Sequence, residues 1–224
     1  VIAAKAKELG SPAYKVIQAG AKVLGNNKDG IDFSLEDDYY GDTRFHIPFI
    51  AWYKVMNASL ALTTMEVLKD RIPVTMEQLQ AGIANTRWQG RMETILPGVI
   101  VDGAHNEDGV RRFVETAERF QKEYPLTLLF SAVNDKDYQD MIHTICSRIK
   151  FRKVVTTEVG GYREVPSAEL AEIFCKEGCK DIGNSDNIEE AFHMAHEAKG
   201  EDGMLFCVGS LYLVGEIKTL LLKK

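Results

Sequence analysis

In the second half of the chain, short unbroken apolar runs alternate with longer stretches whose apolar residues recur every three or four positions. Val99-Ile100-Val101, Leu126 to Ala132 and Met204 to Val208 have the pattern of strands buried on both faces. The stretch after Asp108 has the period of an amphipathic helix. Strands are expected at 92–96, 99–102, 126–132, 153–157, 179–182 and 204–208, and helices at 108–123, 137–149, 167–177, 187–198 and 211–222. Pro125 separates a helix from the next strand, and Ser167 after Pro166, with Glu169 in the first turn, marks a helix entry. This alternation predicts an α/β fold, a mostly parallel sheet covered on both faces, with its ligand edge at the carboxyl ends of the strands. Asp102, Asn134, Thr157 and Ser210 fall at such ends.

The chain before about Gly82 reads differently. A helix is expected at Ile2 to Leu9, followed by the apolar run Tyr14-Lys15-Val16-Ile17. A polar segment from Gly25 to Thr43 holds the turn signals Asn26-Asn27 and Asp29-Gly30, and the latter predicts a hairpin into Ile31 to Leu35. Trp52 to Leu68 reads as a buried helix with Val55, Leu60, Leu62, Met65 and Leu68 as its apolar positions. Thr75 is placed to cap a short helix from Met76 to Ile83. Two regions are therefore expected, 1–82 and 83–224.

Composition narrows the function. Of 224 residues, 45% are hydrophobic and 27% charged, as in ordinary globular proteins. The formal charge of −6, from 33 acids against 27 bases, argues against wholesale nucleic-acid binding while leaving room for a local basic pocket. No apolar run is long enough to span a membrane, and the N-terminus lacks the apolar core of a signal peptide. The first residue is Val1, which suggests a fragment or processed piece. Cys146, Cys175, Cys179 and Cys207 are expected as free thiols in a reducing compartment, with Cys207 buried in a strand. Cys175 and Cys179 lack further nearby ligands for zinc. His193 and His196 share a helix face, but no acid or Cys completes a metal site. There is no G-x-G-x-x-G and no P-loop sequence.

The most informative segment is Asp102-Gly103-Ala104-His105-Asn106, between an expected strand and an expected helix. A carboxylate there can accept from sugar hydroxyls, and the helix start offers free N–H groups to anions. Arg91, just after Gly90, can clamp a phosphate bidentately; alternatively it pairs with an acid such as Glu93. Asp102 can equally cap the following helix, and Asn57 can cap one that begins at Ala58. His105 and Ser210 have a turn histidine and an N-cap serine as their plain alternatives, and Tyr212 fits a core position. Asp137 is placed to cap the helix after the charged loop Asp135-Lys136. Arg163, after Gly160-Gly161-Tyr162, receives no role.

Five motifs stand in order: Asn57-Ala58-Ser59-Leu60-Ala61-Leu62, Trp88-Gln89-Gly90-Arg91, Val99 to Asn106, Asn134-Asp135-Lys136-Asp137, and Val208-Gly209-Ser210-Leu211-Tyr212. In this order they resemble folylpolyglutamate synthase/dihydrofolate synthase, of the Mur ligase group. The resemblance implies a C-terminal, Rossmann-like Mur ligase domain at 83–224, preceded by a remnant of the central ATPase domain at 1–82. It implies ATP-dependent addition of L-glutamate to folate, with dihydropteroate as a second candidate acceptor, through an acyl phosphate. The family's P-loop, magnesium ligands and modified lysine would lie upstream, so this chain alone is expected to be inactive and to hold no metal. By resemblance Asn57, Arg91 and Asp102 contact the nucleotide, while His105 and Ser210 line the amino-acid pocket, His105 also serving the incoming amine. ATP, magnesium, L-glutamate and folate or dihydropteroate are the implied partners of a monomeric, cytoplasmic enzyme. Gln89 departs from the proline usual in the family. The competing readings are a stand-alone nucleotide- or amino-acid-binding module and a Mur-type amide ligase with another acceptor.

Overall fold

The computed structural model describes residues 1–16, 20–27, 29–161 and 163–222. Ile17, in the first apolar run read from the sequence, and Tyr162, before Arg163, lie outside the described residues. The chain forms two compact units, Val1–Arg87 and Trp88–Lys224.

The first unit contains α1 (Ile2–Glu8), β1 (Ala21–Asn27), β2 (Gly30–Leu35), β3 (Phe45–Ile47), α2 (Tyr53–Leu68) and α3 (Met76–Ala84). β1 and β2 pair antiparallel with Asn27 opposite Gly30, the hairpin expected from Asp29-Gly30. β3 completes the sheet on the other side of β2. At three residues it is too short for a periodicity to reveal. Ile31, Phe33, Phe45 and Ile47 pack with Val55 and Leu62 of α2 and Leu79 of α3. The buried stripe of α2 includes Val55, Ala58, Ser59 and Leu62, spaced i, i+3, i+4, i+7. Leu60, read from the sequence as an inward position, is out of that phase and is 56% exposed. Thr75 and Gln78 form a reciprocal capping box at the start of α3. α3 runs on to Ala84, and Gln80 donates to the Arg44 carbonyl, which keeps this helix within the first unit.

The second unit contains β4 (Glu93–Leu96), β5 (Val99–Asp102), α4 (Glu107–Phe120), β6 (Leu126–Phe130), α5 (Tyr138–Arg148), β7 (Phe151–Thr157), α6 (Ser167–Lys176), β8 (Ile182–Ser185), α7 (Ile188–Lys199), β9 (Met204–Val208) and α8 (Leu211–Leu222). The strand order is β4-β5-β9-β6-β7-β8. All neighbours are parallel except the edge pair β4–β5. This is the mostly parallel α/β sheet expected from the alternation.

Side-chain alternation along the strands divides the two faces. Leu205 and Cys207 of β9 lie in one cluster with Val99 and Val101, Ala191 and Ala195 of α7, and Leu213 and Ile217 of α8. Phe206, between them, meets Phe113 and Phe120 of α4 on the opposite face. Each fully buried side chain of this size contributes roughly 1.5–3 kcal/mol of transfer free energy. β8 lies at 182–185 and not at 179–182. Cys179 N–H donates back to the Phe174 carbonyl, so residues 179–181 are spent in leaving α6.

β5 leads to α4 on one face, and its neighbour β9 leads to α8 on the other. Adjacent strands whose connections depart to opposite faces leave a crevice at their carboxyl ends, where α/β sheets bind ligands. Asp102 and Val208, paired across the two strands, are the last residues before that crevice.

Candidate functional site

The site is organised by the carboxylate of Asp102, which is only 4% exposed. Its Oδ2 accepts from Met92 N–H at 2.9 Å and its Oδ1 from Ala104 N–H at 2.8 Å. Gly103 N–H donates to the Gly90 carbonyl at 2.7 Å. These bonds fasten the loop before β4 to the turn after β5. Met92 sits at φ +47°, a left-handed conformation a non-glycine residue adopts only where its surroundings impose it. Here the bond to Asp102 and the burial of the Met92 side chain supply that constraint.

Asp102 does not cap α4. Asn106 does, its side chain accepting from Gly109 N–H at 2.8 Å. The chain needs the Asp102 carboxylate one step earlier, because the turn that releases β5 exposes the Ala104 amide before any helical acceptor is in reach.

Arg91 lies between Gly90 and Met92, so it is carried by the fastened loop. Its side chain has no hydrogen-bond or ion-pair partner among the described residues. The suggested pairing with Glu93 is not formed. Glu93 Oε2 accepts from Gly90 N–H at 2.7 Å, and Lys218 of α8 donates to both carboxylate oxygens at 2.7 and 3.0 Å. Lys218 thus neutralises Glu93, two residues along from Arg91, and takes up the acid offered to Arg91 by the sequence. Nothing in local sequence could have signalled this pair, whose members stand 125 positions apart.

His105 Nδ1 is 2.7 Å from the Gly103 carbonyl oxygen. A carbonyl only accepts, so Nδ1 carries the proton and neutral His105 keeps Nε2 as an acceptor. Ser210 is buried at the start of α8, and its Oγ accepts from Tyr212 N–H at 3.1 Å, the N-cap arrangement. The β5 turn and α8 are in close contact: a Cβ on Gly103 would lie 2.1 Å from Leu211 Cδ2.

Tyr212, expected in the core, is 57% exposed. The inward positions of α8 are Leu213, Val214 and Ile217, and Tyr212 falls outside that stripe. Its hydroxyl accepts from Arg163 Nη2 at 3.0 Å, and Arg163 Nη1 reaches Asp135 Oδ2 at 3.2 Å. Arg163 therefore joins the loops that follow β6 and β7 to the first turn of α8. Its position after β7, on the ligand edge, was the available signal. Asp137 caps α5 as expected, accepting from Asp140 N–H.

Arg91, Asp102, His105 and Ser210 come together at one edge of the second unit. Asn57 lies in the first unit, exposed within α2. It does not cap a helix, because α2 begins at Tyr53 with Trp52 as its N-cap. Among the described residues no three His, Cys, Asp or Glu side chains are grouped to hold a metal ion. His196 instead stacks on Phe192, with ring centroids 5.8 Å apart. No helix among the described residues is long and apolar enough to cross a membrane.

A sheet switch point whose fastened loop carries a guanidinium without a partner among the described residues defines an α/β domain suited to an anionic ligand. Residues 90–211 match the family model described as Mur ligase, glutamate ligase domain, and the chain belongs to this family. Among its relatives is the dihydrofolate synthase/folylpolyglutamate synthase of Bacillus subtilis, 29% identical over 194 residues, covering 83% of this chain and 43% of that protein. Solved structures of similar fold include folylpolyglutamate synthase from Thermotoga maritima (TM-score 0.78, 24% identity, 99% of this chain and 51% of that one). Another is the Mycobacterium tuberculosis folylpolyglutamate synthase complexed with ADP and AMPPCP (TM-score 0.75, 22% identity, 98% and 52%). The chain spans about half the length of these three proteins and corresponds to their C-terminal part.

Proposed function

We propose that this chain supplies the C-terminal part of an ATP-dependent ligase that joins L-glutamate to folate, with dihydropteroate as a second candidate acceptor. In this reading ATP phosphorylates the folate carboxylate, releasing ADP. The glutamate amine then attacks the acyl carbon and expels phosphate, losing a proton as the amide forms. The observation that carries the reading is Arg91: a guanidinium without a partner among the described residues, on a loop fastened to the carboxyl end of β5. A cation held in that way can meet phosphate oxygens without first breaking an ion pair. His105 Nε2 has the acceptor capacity to take the amine proton. The amide groups at the start of α8, beside Ser210, suit a carboxylate of the incoming amino acid.

Both Asp102 oxygens are already engaged by backbone amides, so its part in this reading is first to hold the Arg91 loop. Contact with the ribose would use its remaining lone pairs. Among the described residues no His, Cys, Asp or Glu group suits a divalent cation, and no step is assigned to a metal bound by this chain. Magnesium would enter with the nucleotide, its ligands lying in the partner region of a longer protein. Asn57 would reach the nucleotide from that region's side. The four free thiols fit a reducing, cytoplasmic setting.

Two outcomes are expected. The chain by itself, given ATP, glutamate and a folate, shows no glutamate-dependent ATP hydrolysis; robust turnover would overturn its assignment as a part. Tight binding of ATP or glutamate by calorimetry, without turnover, would instead favour a binding module. In the full-length ligase, Arg91→Ala weakens nucleotide binding by about tenfold or more while the melting temperature stays unchanged. Unaltered affinity would remove Arg91 from the site.

A further inference from the structure

Away from the ligand edge, the second unit holds a pair of thiols that the ligase reading does not use. Cys146 is in the last turn of α5, and Cys179 follows the end of α6. Their Sγ atoms are 3.7 Å apart, and both residues are half-buried. They line a cavity of about 560 Å³ together with Lys150, Phe151, Arg152 and Lys180. The charges around it are unevenly satisfied. Arg152 is paired with Asp202, Asp181 with Lys153, and Glu177 with His143. The ammonium groups of Lys150 and Lys180 have no ion-pair partner among the described residues. The cavity therefore presents two ammonium groups beside two adjacent thiols, facing the single Glu177 carboxylate, whose His143 partner carries charge only when protonated.

We propose that Cys146 and Cys179 form a reversible redox site that reacts with an anionic low-molecular-weight disulfide of the glutathione disulfide class. Lys150 and Lys180 attract the carboxylates of that reagent. Cys179 attacks first. Either thiol can donate across this gap; with Cys146 as the donor, its hydrogen bond holds Cys179 below its ordinary value, against the opposing effects of burial and Glu177. The same bond, with burial, pushes the Cys146 thiol up. The Cys179 thiolate displaces one thiolate from the reagent and forms a mixed disulfide. Cys146 then loses its proton, attacks the Cys179 sulfur and expels the second thiolate. Two protein thiols are oxidised to one disulfide, and the reagent is reduced to two thiols. The product ties the end of α5 to the turn that leads into β8. Closing the gap from 3.7 Å to bonding distance requires side-chain rotation at the end of a helix and in a turn.

The test exposes the full chain to glutathione disulfide, alkylates the remaining thiols and maps the peptides. The expected product links the Cys146 peptide to the Cys179 peptide, while Cys207, buried in β9, stays reduced. C146S, which removes the resolving thiol, is expected to retain glutathione on Cys179. C179S is expected to react about tenfold more slowly at Cys146, because the more reactive thiolate is lost. A neutral disulfide such as hydroxyethyl disulfide reacts more slowly than glutathione disulfide, and added salt narrows the difference. A wild-type chain in which exposed Cys175 is modified while Cys146 and Cys179 remain reduced would overturn the proposal. So would equal reactivity of C146S and C179S at their remaining thiol.

Discussion

Gly209→Ala is expected to destabilise the second unit by about 3 kcal/mol. Gly209 joins β9 to α8 with φ +109°, a backbone state that strains any residue bearing a Cβ. Space is lacking as well. A Cβ would lie 2.0 Å from the Ser131 carbonyl oxygen and 2.8 Å from the Phe130 ring. The first obstacle is backbone, which cannot rotate aside. Ser131 N–H itself donates to the Val208 carbonyl, so moving it disturbs the β6–β9 ladder. In urea, with a slope of about 1–3 kcal/mol per molar, the midpoint of this unit falls by about 1 M or more. Gly215→Ala is the matched control. Gly215 is exposed within α8, and nothing lies within 4 Å of its added Cβ. That substitution is expected to stabilise by about 0.5–1 kcal/mol. Equal midpoints for the two variants would refute the account of the β9–α8 junction.

Asp102→Ala is expected to cost about 2–4 kcal/mol. It removes the acceptor for two amides in a place where Met92 and Ala104 are essentially sealed from water. An unsatisfied buried N–H loses its full hydration, so the penalty exceeds the net worth of an ordinary hydrogen bond. Met92 would also lose what holds it at positive φ and relax toward the common region. The Arg91 loop would then detach from the end of β5. Asp102→Asn keeps one acceptor oxygen but turns an NH2 toward the other amide, so its loss should be smaller. The ordering wild type, Asn, Ala in urea midpoint, with amide exchange at Met92 and Ala104 rising in the same order, checks this. If Asp102→Ala matched wild type in both, the carboxylate would not be the fastening.

Much of this was legible without coordinates. The apolar runs at Val99, Leu126 and Met204 are strands because a run buried on both faces has no polar side to show. The hairpin at Gly30 and the caps at Thr75, Asp137 and Ser210 are local, formed by residues within a few positions of one another. The misplaced elements failed for reasons of phase and length. Leu60 and Tyr212 are large and apolar enough for a core, but their helices turn them outward. β8 began three residues late because the exit from α6 used the intervening chain.

The α/β class, most helix and strand spans, and the placing of Asp102 and Ser210 at strand ends were readable from the residues, while the grouping of Arg91, Asp102, His105 and Ser210 in one site came from the family resemblance. Short-range propensity and hydrophobic period suffice for the former. The tertiary structure alone decided which partners these groups take. Asp102 fastens Met92, Lys218 claims Glu93, Arg163 spans to Asp135 and Tyr212, and Cys146 meets Cys179. Apart from the Asp102–Met92 bond, which spans ten positions, each of these contacts joins elements distant along the chain. The order in which strands enter a sheet is set by packing of the whole unit, which no local window of residues encodes.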